Sequence, residues 1–163
     1  MAAKLHRTFI DMPEALRRKT IDVLNARLAD TLDLQTQLKQ AHWNIKGAAF
    51  IAVHELFDSI AEKLYEFGDE IAERAVALGG QVHGTARVAA KSSSIPEYPL
   101  DAVDQTEHVE AVAERLGTYG KIIRSAIDET DKLGDKDTAD LFTQISREID
   151  KQRWFVEAHL GTK

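Results

Sequence analysis

Residues 42–74 read HWNIKGAAFIAVHELFDSIAEKLYEFGDEIAER, a stretch in which histidine and carboxylate side chains recur along one predicted helix. The helix is expected from Phe50 to Leu78, and at about 100° per residue four side chains on it share one face: His54, Asp58, Asp69 and Glu73. With a histidine just before the helix, the candidate metal ligands are His42, His54, Asp58, Asp69 and Glu73.

The spacing of these ligands along the helix limits which of them can bind the same metal ion. His54 and Asp69 lie fifteen residues apart, which is roughly 22 Å along a helix axis. Metal–ligand bonds are about 2–2.5 Å long, so one chain cannot bring both ends of the face to a single ion. An antiparallel copy of the helix, related by a two-fold axis near its middle, would set each half against its complement. The sequence therefore predicts a metal site between subunits.

Outside this stretch, apolar residues recur at three- or four-residue spacing, which is typical of amphipathic helices. Long helices are predicted over about 13–45, 50–78, 104–133 and 137–159, and residues 81–103 form a connection with one short helix inside. Long helices with one crossover between the second and third predict an all-α, four-helix ferritin-like bundle. We expect residues 1–163 to form a single domain, with 1–13 as a short N-terminal tail.

The composition limits the class of protein. The chain has 163 residues, a net charge of −6 and no cysteine, which excludes disulfides and thiolate metal sites. No secretory signal is visible at the N-terminus, and no stretch approaches the roughly 20 apolar residues of a membrane span. We expect a cytoplasmic protein with no membrane partner.

The motifs around the ligands resemble those of one known family. The run A-H-W-N-I-K-G-x-x-F-I-A-V-H-E-x-x-D, followed by D-x-x-A-E-R-x-x-x-L-G-G, is similar to the Dps family of ferritin-like proteins. Tyr98-Pro99, the stretch 137–140 and Asp150-Lys151 also resemble it, so the similarity runs from about residue 14 to residue 160.

The resemblance implies a ferroxidase and iron store. It implies a homo-oligomer, a hollow dodecamer, that oxidises Fe²⁺, preferably with hydrogen peroxide, although dioxygen is an alternative oxidant, and keeps the ferric mineral inside as protection against oxidative damage. It also implies that His42, His54 and Asp58 come from one subunit and Asp69 and Glu73 from its two-fold neighbour.

The residue types suit iron chemistry. Fe²⁺ accepts imidazole and carboxylate, whereas Fe³⁺ favours oxygen ligands. Two irons in each intersubunit site could donate two electrons to one peroxide without releasing hydroxyl radical. Zinc or another divalent ion fits the same ligands, so a metal-binding scaffold without turnover remains an alternative. No histidine follows a glutamate by three residues, which argues against a di-iron site inside one bundle.

Other residues carry weaker hypotheses. Trp43 is a candidate electron donor to the iron, with core packing as the simpler interpretation. Glu55 and Glu62 could nucleate mineral or lie on a solvated helix edge, and His108 is expected on the surface or in a loop. In the family, aspartates at matching places line pores that admit iron; here they are Asp131, Asp135 and Asp140, for which turn and N-cap chemistry is the alternative.

DNA compaction is the competing function, and it would make the protein nucleoid-associated. Family members that compact DNA generally use long, lysine-rich terminal tails, whereas this tail is short. Phosphate contacts need only positive charge, and many weak tails can bind through avidity. The candidate DNA contacts are Lys4, Arg7, Arg17, Arg18 and Lys19.

Overall fold

A computed structural model describes residues 5–161, and every regular element in that range is a helix. The helices are α1 Glu14–Asn44, α2 Phe50–Ala77, α3 Ala86–Ser92, α4 Gln105–Lys132 and α5 Lys136–Glu157. The four long helices form the bundle, and α3 lies in the crossover between α2 and α4. The predicted all-α bundle with a short extra helix in the crossover is confirmed. None of the helices within 5–161 is long and apolar enough to cross a membrane.

The core lies where the apolar stripes of the long helices meet. α1 packs along α2, and α4 packs along α5. Phe57, Tyr119 and Phe142 are among the largest fully buried side chains, and burial of each contributes about 1.5–3 kcal/mol. The Tyr119 hydroxyl is hydrogen-bonded to the Thr31 hydroxyl, with the two oxygens 2.7 Å apart. This core holds α1 and α2 side by side, and they carry all the candidate ligands.

Local chemistry sets where the helices begin and end. α4 starts with a capping box, in which Asp104 accepts from the Glu107 backbone N–H and Glu107 accepts from that of Asp104. α5 starts at Asp135, whose side chain accepts from the Thr138 N–H. After α2, Gly79 adopts a φ of +87°, a left-handed conformation that favours glycine.

The segment before α1 lies against the end of α2. The His6 N–H donates to the Gly79 carbonyl at 2.8 Å, and a Cβ on Gly79 would lie 2.6 Å from the His6 carbonyl oxygen. Arg17 joins the two regions by donating to the carbonyls of Met12 and Leu78. Residues 5–12 are therefore docked on the body of their own chain rather than projecting from it.

Buried polar side chains hold the crossover after α3. Asp30, fully buried on α1, accepts from the Ser94 N–H at 2.6 Å. Arg115 on α4 donates to the Glu97 carbonyl at 2.5 Å and to the Gln37 side chain at 3.0 Å. These bonds fix the crossover against both α1 and α4.

The surface position predicted for His108 is wrong. His108 is 1% exposed, and the Tyr98 hydroxyl lies 2.6 Å from its Nδ1. Burial lowers the pKa of His108 and raises the pKa of Tyr98 to about 12, so a neutral phenol faces a neutral imidazole. Tyr98 lies in the crossover, so the helical periodicity of α4 alone could not predict this contact with His108.

Candidate metal centre

Two histidines from adjacent helices contact each other in the candidate site. His42 near the end of α1 and His54 in the first turns of α2 stack with ring centroids 3.7 Å apart and planes 20° apart. The Nδ1 of His42 lies 2.8 Å from the His54 carbonyl oxygen, and the Nδ1 of His54 lies 2.8 Å from the His42 carbonyl oxygen. Each ring is thus oriented by the backbone of the other.

These reciprocal bonds select one tautomer for each neutral ring. A carbonyl oxygen only accepts, so Nδ1 carries the proton and Nε2 keeps its lone pair. Hydrogen bonds of this kind orient metal-binding histidines and raise the basicity of the ligating nitrogen. His42 is buried and His54 half-buried, so the pair presents two oriented nitrogen donors at the protein surface.

Asp58 lies one helical turn beyond His54 and is paired with a lysine that sequence reasoning missed. Lys39 Nζ on α1 donates to Asp58 Oδ1. That bond is the main cause that lowers the pKa of Asp58, with smaller contributions from His42 and His54. The signal in the sequence was the three-residue spacing from Lys39 to His42, which puts both on one face of α1.

Asp69 and Glu73 lie at the other end of the same face of α2. Both are exposed, and within residues 5–161 neither makes a hydrogen bond or ion pair. No group of three or more His, Asp or Glu side chains in this part of the chain could hold a metal by itself. The described chain brings His42, His54 and Asp58 together and leaves Asp69 and Glu73 apart from them.

Trp43 does not pack in the core, so that interpretation was wrong. Its side chain is 68% exposed at the edge of a groove of about 620 Å³ between α1 and the crossover, also lined by Gln40 and Leu100. Lys39 Nζ lies 5.9 Å from the centroid of the indole ring. Trp43 follows His42 directly, so α1 turns it away from the core face that its neighbour borders.

The three aspartates around the α4–α5 turn have different surroundings. Asp135 is buried and accepts from Thr138 and from Arg74, whose Nη2 lies 2.8 Å away. Its carboxylate is the N-cap of α5, so the prediction that Asp135 lines a pore is wrong. Asp131 pairs with Lys136, and Asp140 is exposed.

The remaining candidates lie on the surface or near the N-terminus. Glu55 and Glu62 are exposed on α2, and Lys19 is exposed on α1. Arg7 lies over the ring of Phe9 at 5.0 Å.

Two of the candidate DNA contacts are engaged within the chain, and one lies outside the described residues. Arg17 donates to two backbone carbonyls, and Arg18 pairs with Glu14 at 2.6 Å. Lys4 falls in the part of the chain that the structure does not describe.

Comparisons with known proteins agree with the helical fold. A family profile described as "Ferritin-like domain" matches residues 21–163. The chain is 44% identical over 160 residues to the "DNA protection during starvation protein" of Agrobacterium fabrum, covering 98% of this chain and 99% of that protein. Among solved structures, a tetragonal form of Dps from Mycobacterium smegmatis has a TM-score of 0.92 at 29% identity, covering 98% of this chain and 96% of the other. An archaeal Dps homologue from Halobacterium salinarum has a TM-score of 0.90 at 27% identity, covering 100% and 91%.

Proposed function

The chain belongs to the Dps family of ferritin-like proteins, and from this we propose that it oxidises Fe²⁺ at sites shared by two subunits and stores the ferric product inside a hollow dodecamer. The observation that carries the proposal is the stacked pair of His42 and His54, whose backbone bonds leave both Nε2 atoms ready to bind a metal. We place the reaction in the cytoplasm.

The donor set fits ferrous iron as a substrate. Two imidazole nitrogens and Asp58 offer mixed nitrogen and oxygen ligation to Fe²⁺, and the partner subunit's Asp69 and Glu73 would add the oxygen ligands that Fe³⁺ favours. The low ligand count leaves room for the oxidant. The protein therefore contributes placement and charge, while the redox chemistry belongs to the metal.

The reaction balances at two Fe²⁺ ions for each hydrogen peroxide. Hydrogen peroxide takes two electrons and two protons to become two waters, so two Fe²⁺ ions become two Fe³⁺ ions for each peroxide. A pair of irons held in one site can supply both electrons together, which avoids the one-electron product, hydroxyl radical. Asp58, Asp69 and Glu73 provide the negative charge that attracts Fe²⁺, and exposed Asp140 would do the same at an uptake pore, together with Asp131.

Anaerobic titration with Fe²⁺ followed by a pulse of peroxide tests this function. We expect oxidation far faster than in buffer, one peroxide consumed for every two Fe²⁺ ions, and mineral retained in a particle of dodecameric size. Oxidation no faster than in buffer, with the particle intact, would contradict the ferroxidase proposal and favour a scaffold that binds zinc or another divalent ion.

Direct DNA binding is the second candidate, and it is favoured by the name of the Agrobacterium relative and by exposed Lys19. The docking of residues 5–12 on Gly79 and the engagement of Arg17 oppose it, because a segment held on the body cannot reach along a duplex. We propose that DNA is protected chiefly by removal of Fe²⁺ and peroxide. A gel shift at low salt that disappears at high salt would instead support contact with phosphates.

A further inference from the structure

A groove of about 540 Å³, where α4, α5 and the crossover meet, is lined mostly by basic side chains. Its charged residues are Arg115, Lys121, Arg153 and Glu114, and none of the candidate metal ligands lines it. Three cations against one carboxylate give it an excess of positive charge, although the net charge of the whole chain is −6. We call this cleft the basic groove.

The charge of the basic groove differs from that of a second groove, between α2 and α5. That groove also has a volume of about 540 Å³, but its three cations are matched by three carboxylates. Lys63 pairs with Glu66 at 2.7 Å, and Lys151 lies 3.9 Å from the carboxylate of Glu148. The second groove is therefore neutral, and it provides a control for the first.

Two cations of the basic groove keep N–H donors available for a ligand. Lys121 is exposed and makes no hydrogen bond or ion pair within residues 5–161. Arg153 is half-buried, and its buried Nε has no hydrogen-bond partner among the same residues. The nearest carboxylate oxygen to that Nε belongs to Glu157, at 3.4 Å. Ammonium and guanidinium groups only donate, so the ligand that suits them is an acceptor with negative charge.

The third cation, Arg115, belongs to a wall that is fixed by hydrogen bonds. Arg115 is buried and donates to the carbonyls of Ala111 and Glu97 at 2.9 and 2.5 Å. Gln37 from α1 accepts from Arg115 Nε and donates to the Pro96 carbonyl at 3.1 Å. The wall therefore needs no rearrangement when a ligand enters, which lowers the entropic cost of binding.

A glycine leaves the floor of the basic groove open. Gly117 lies on the face of α4 that also carries Glu114 and Lys121. A Cβ on Gly117 would lie 3.7 Å from Arg153 Nη1, so a larger side chain would occupy the space beside the guanidinium. The Glu114 side chain is 80% exposed, and solvent screens its charge.

We propose that the basic groove binds a phosphate group through Lys121 and Arg153, with Arg115 adding positive charge from the wall. Phosphate oxygens accept charge-assisted hydrogen bonds from guanidinium and ammonium groups. The groove is open to solvent, so the phosphate can belong to inorganic phosphate or to a nucleic-acid backbone. The site is separate from the proposed ferroxidase centre and does not rest on it.

Calorimetric titration of the protein with inorganic phosphate, without added iron, tests the site. We expect the unchanged protein to bind phosphate and the combination of Lys121→Gln with Arg153→Gln to weaken binding by about 10-fold or more, because both charged donors are lost. The matched control combines Lys63→Gln with Arg147→Gln, which removes two cations from the neutral groove and should leave the affinity unchanged. No binding by the unchanged protein, or equal losses in the two double variants, would overturn the proposal.

Gly117→Glu tests the same site without removing a cation. Glutamate has a higher helix propensity than glycine, and the position is only partly buried, so we expect the helical content to be kept by circular dichroism. The new carboxylate would fill the floor beside Arg153, and phosphate binding should fall as far as in the double variant of Lys121 and Arg153. Gly117→Ala is the control and should keep most of the binding. Full phosphate binding by Gly117→Glu would contradict the proposed site.

A gel shift with double-stranded DNA at low salt identifies the source of the phosphate. If DNA affinity falls in the Lys121 and Arg153 double variant and inorganic phosphate competes with DNA, the ligand is a nucleic-acid backbone. If the two double variants bind DNA equally but differ in phosphate affinity, the ligand is free phosphate. Either result supports the phosphate site. The Fe²⁺ titration depends on other residues, so the ferroxidase proposal and this one can fail separately.

Discussion

The two ends of α2 both carry candidate ligands, but the chain prepares them differently. At the N-terminal end, His54 is oriented by a backbone bond and a stacked ring from α1, and Asp58 is held by Lys39. At the C-terminal end, Asp69 and Glu73 are exposed and make no hydrogen bond or ion pair within the described residues. Folding of one subunit therefore orders the N-terminal half of the proposed site, and the proposal leaves the C-terminal half to a neighbouring subunit.

Mixing two inactive variants gives the sharpest test of that division. We expect His54→Ala and Asp69→Ala each to lower the oxidation rate by about 100-fold or more, because each removes a ligand from both sites of a dimer. After unfolding and remixing, about half of the dimers would contain one subunit of each variant, and each mixed dimer would have one intact site, so about one quarter of the sites should recover. No recovery, with particle size unchanged by light scattering, would mean that both residues serve a site in the same chain.

The ion pair between Arg74 and Asp135, which anchors the C-terminal end of α2, can be broken separately. Arg74, next to Glu73, is tied to buried Asp135, so Asp135→Ala removes the main ionic partner of a partly buried guanidinium, leaves it the Thr138 hydroxyl and a longer contact to Asp137, and removes the α5 cap. We expect the free energy of unfolding to fall by about 3–5 kcal/mol, measured by urea denaturation. Asp140→Asn is the control, and its stability should change by less than about 0.5 kcal/mol. Equal losses in the two variants would contradict the structural role of Asp135.

Lys39 makes the N-terminal end different from the other in charge. Replacing it with methionine removes a cation that competes for Asp58, so we expect Zn²⁺ to bind roughly 3- to 10-fold more tightly by calorimetry. Lys63→Met breaks the comparable surface pair with Glu66 and should leave the affinity unchanged. Weaker binding in Lys39→Met would show that the lysine supports the site instead of competing with the metal.

His108 offers a buried histidine outside the proposed ligand set for comparison with His54. Its pKa is lowered in the folded state, so the unfolded chain takes up a proton first as the pH falls. The stability that neutral His108 provides is full well above its ordinary pKa of about 6.5 and declines as the pH drops through that value. We expect His108→Gln to flatten the decline in melting temperature between about pH 7.5 and 5.5, whereas exposed His159→Gln should not.

The sequence was sufficient for the features that depend on local periodicity. The long helices begin and end within one or two residues of their predicted limits, because Pro13, Gly79 and Gly134 and the capping aspartates act on their immediate neighbours. The ligands on α2 could be placed on one face for the same reason.

The errors all concern side chains whose surroundings come from distant parts of the chain. Trp43 lines a groove between α1 and the crossover, and His108 is hydrogen-bonded to Tyr98 from that crossover. Asp135 accepts a hydrogen bond from Arg74 near the end of α2. The partnership of Lys39 with Asp58 was missed because it depends on the exact rotation of α1 against α2. The assignment of the ligands to two subunits stays a prediction.

The reciprocal bonds between His42 and His54 also bear on how fast iron could be captured. They use only Nδ1 atoms and backbone carbonyls, so the rings keep their orientation whether or not an ion is bound. A Fe²⁺ ion arriving at the proposed site would then need no conformational step before its first bonds form. The capture rate would be governed by diffusion to the site and by the loss of water from the ion, which suits the proposed function of removing free ferrous ions before they meet peroxide in solution.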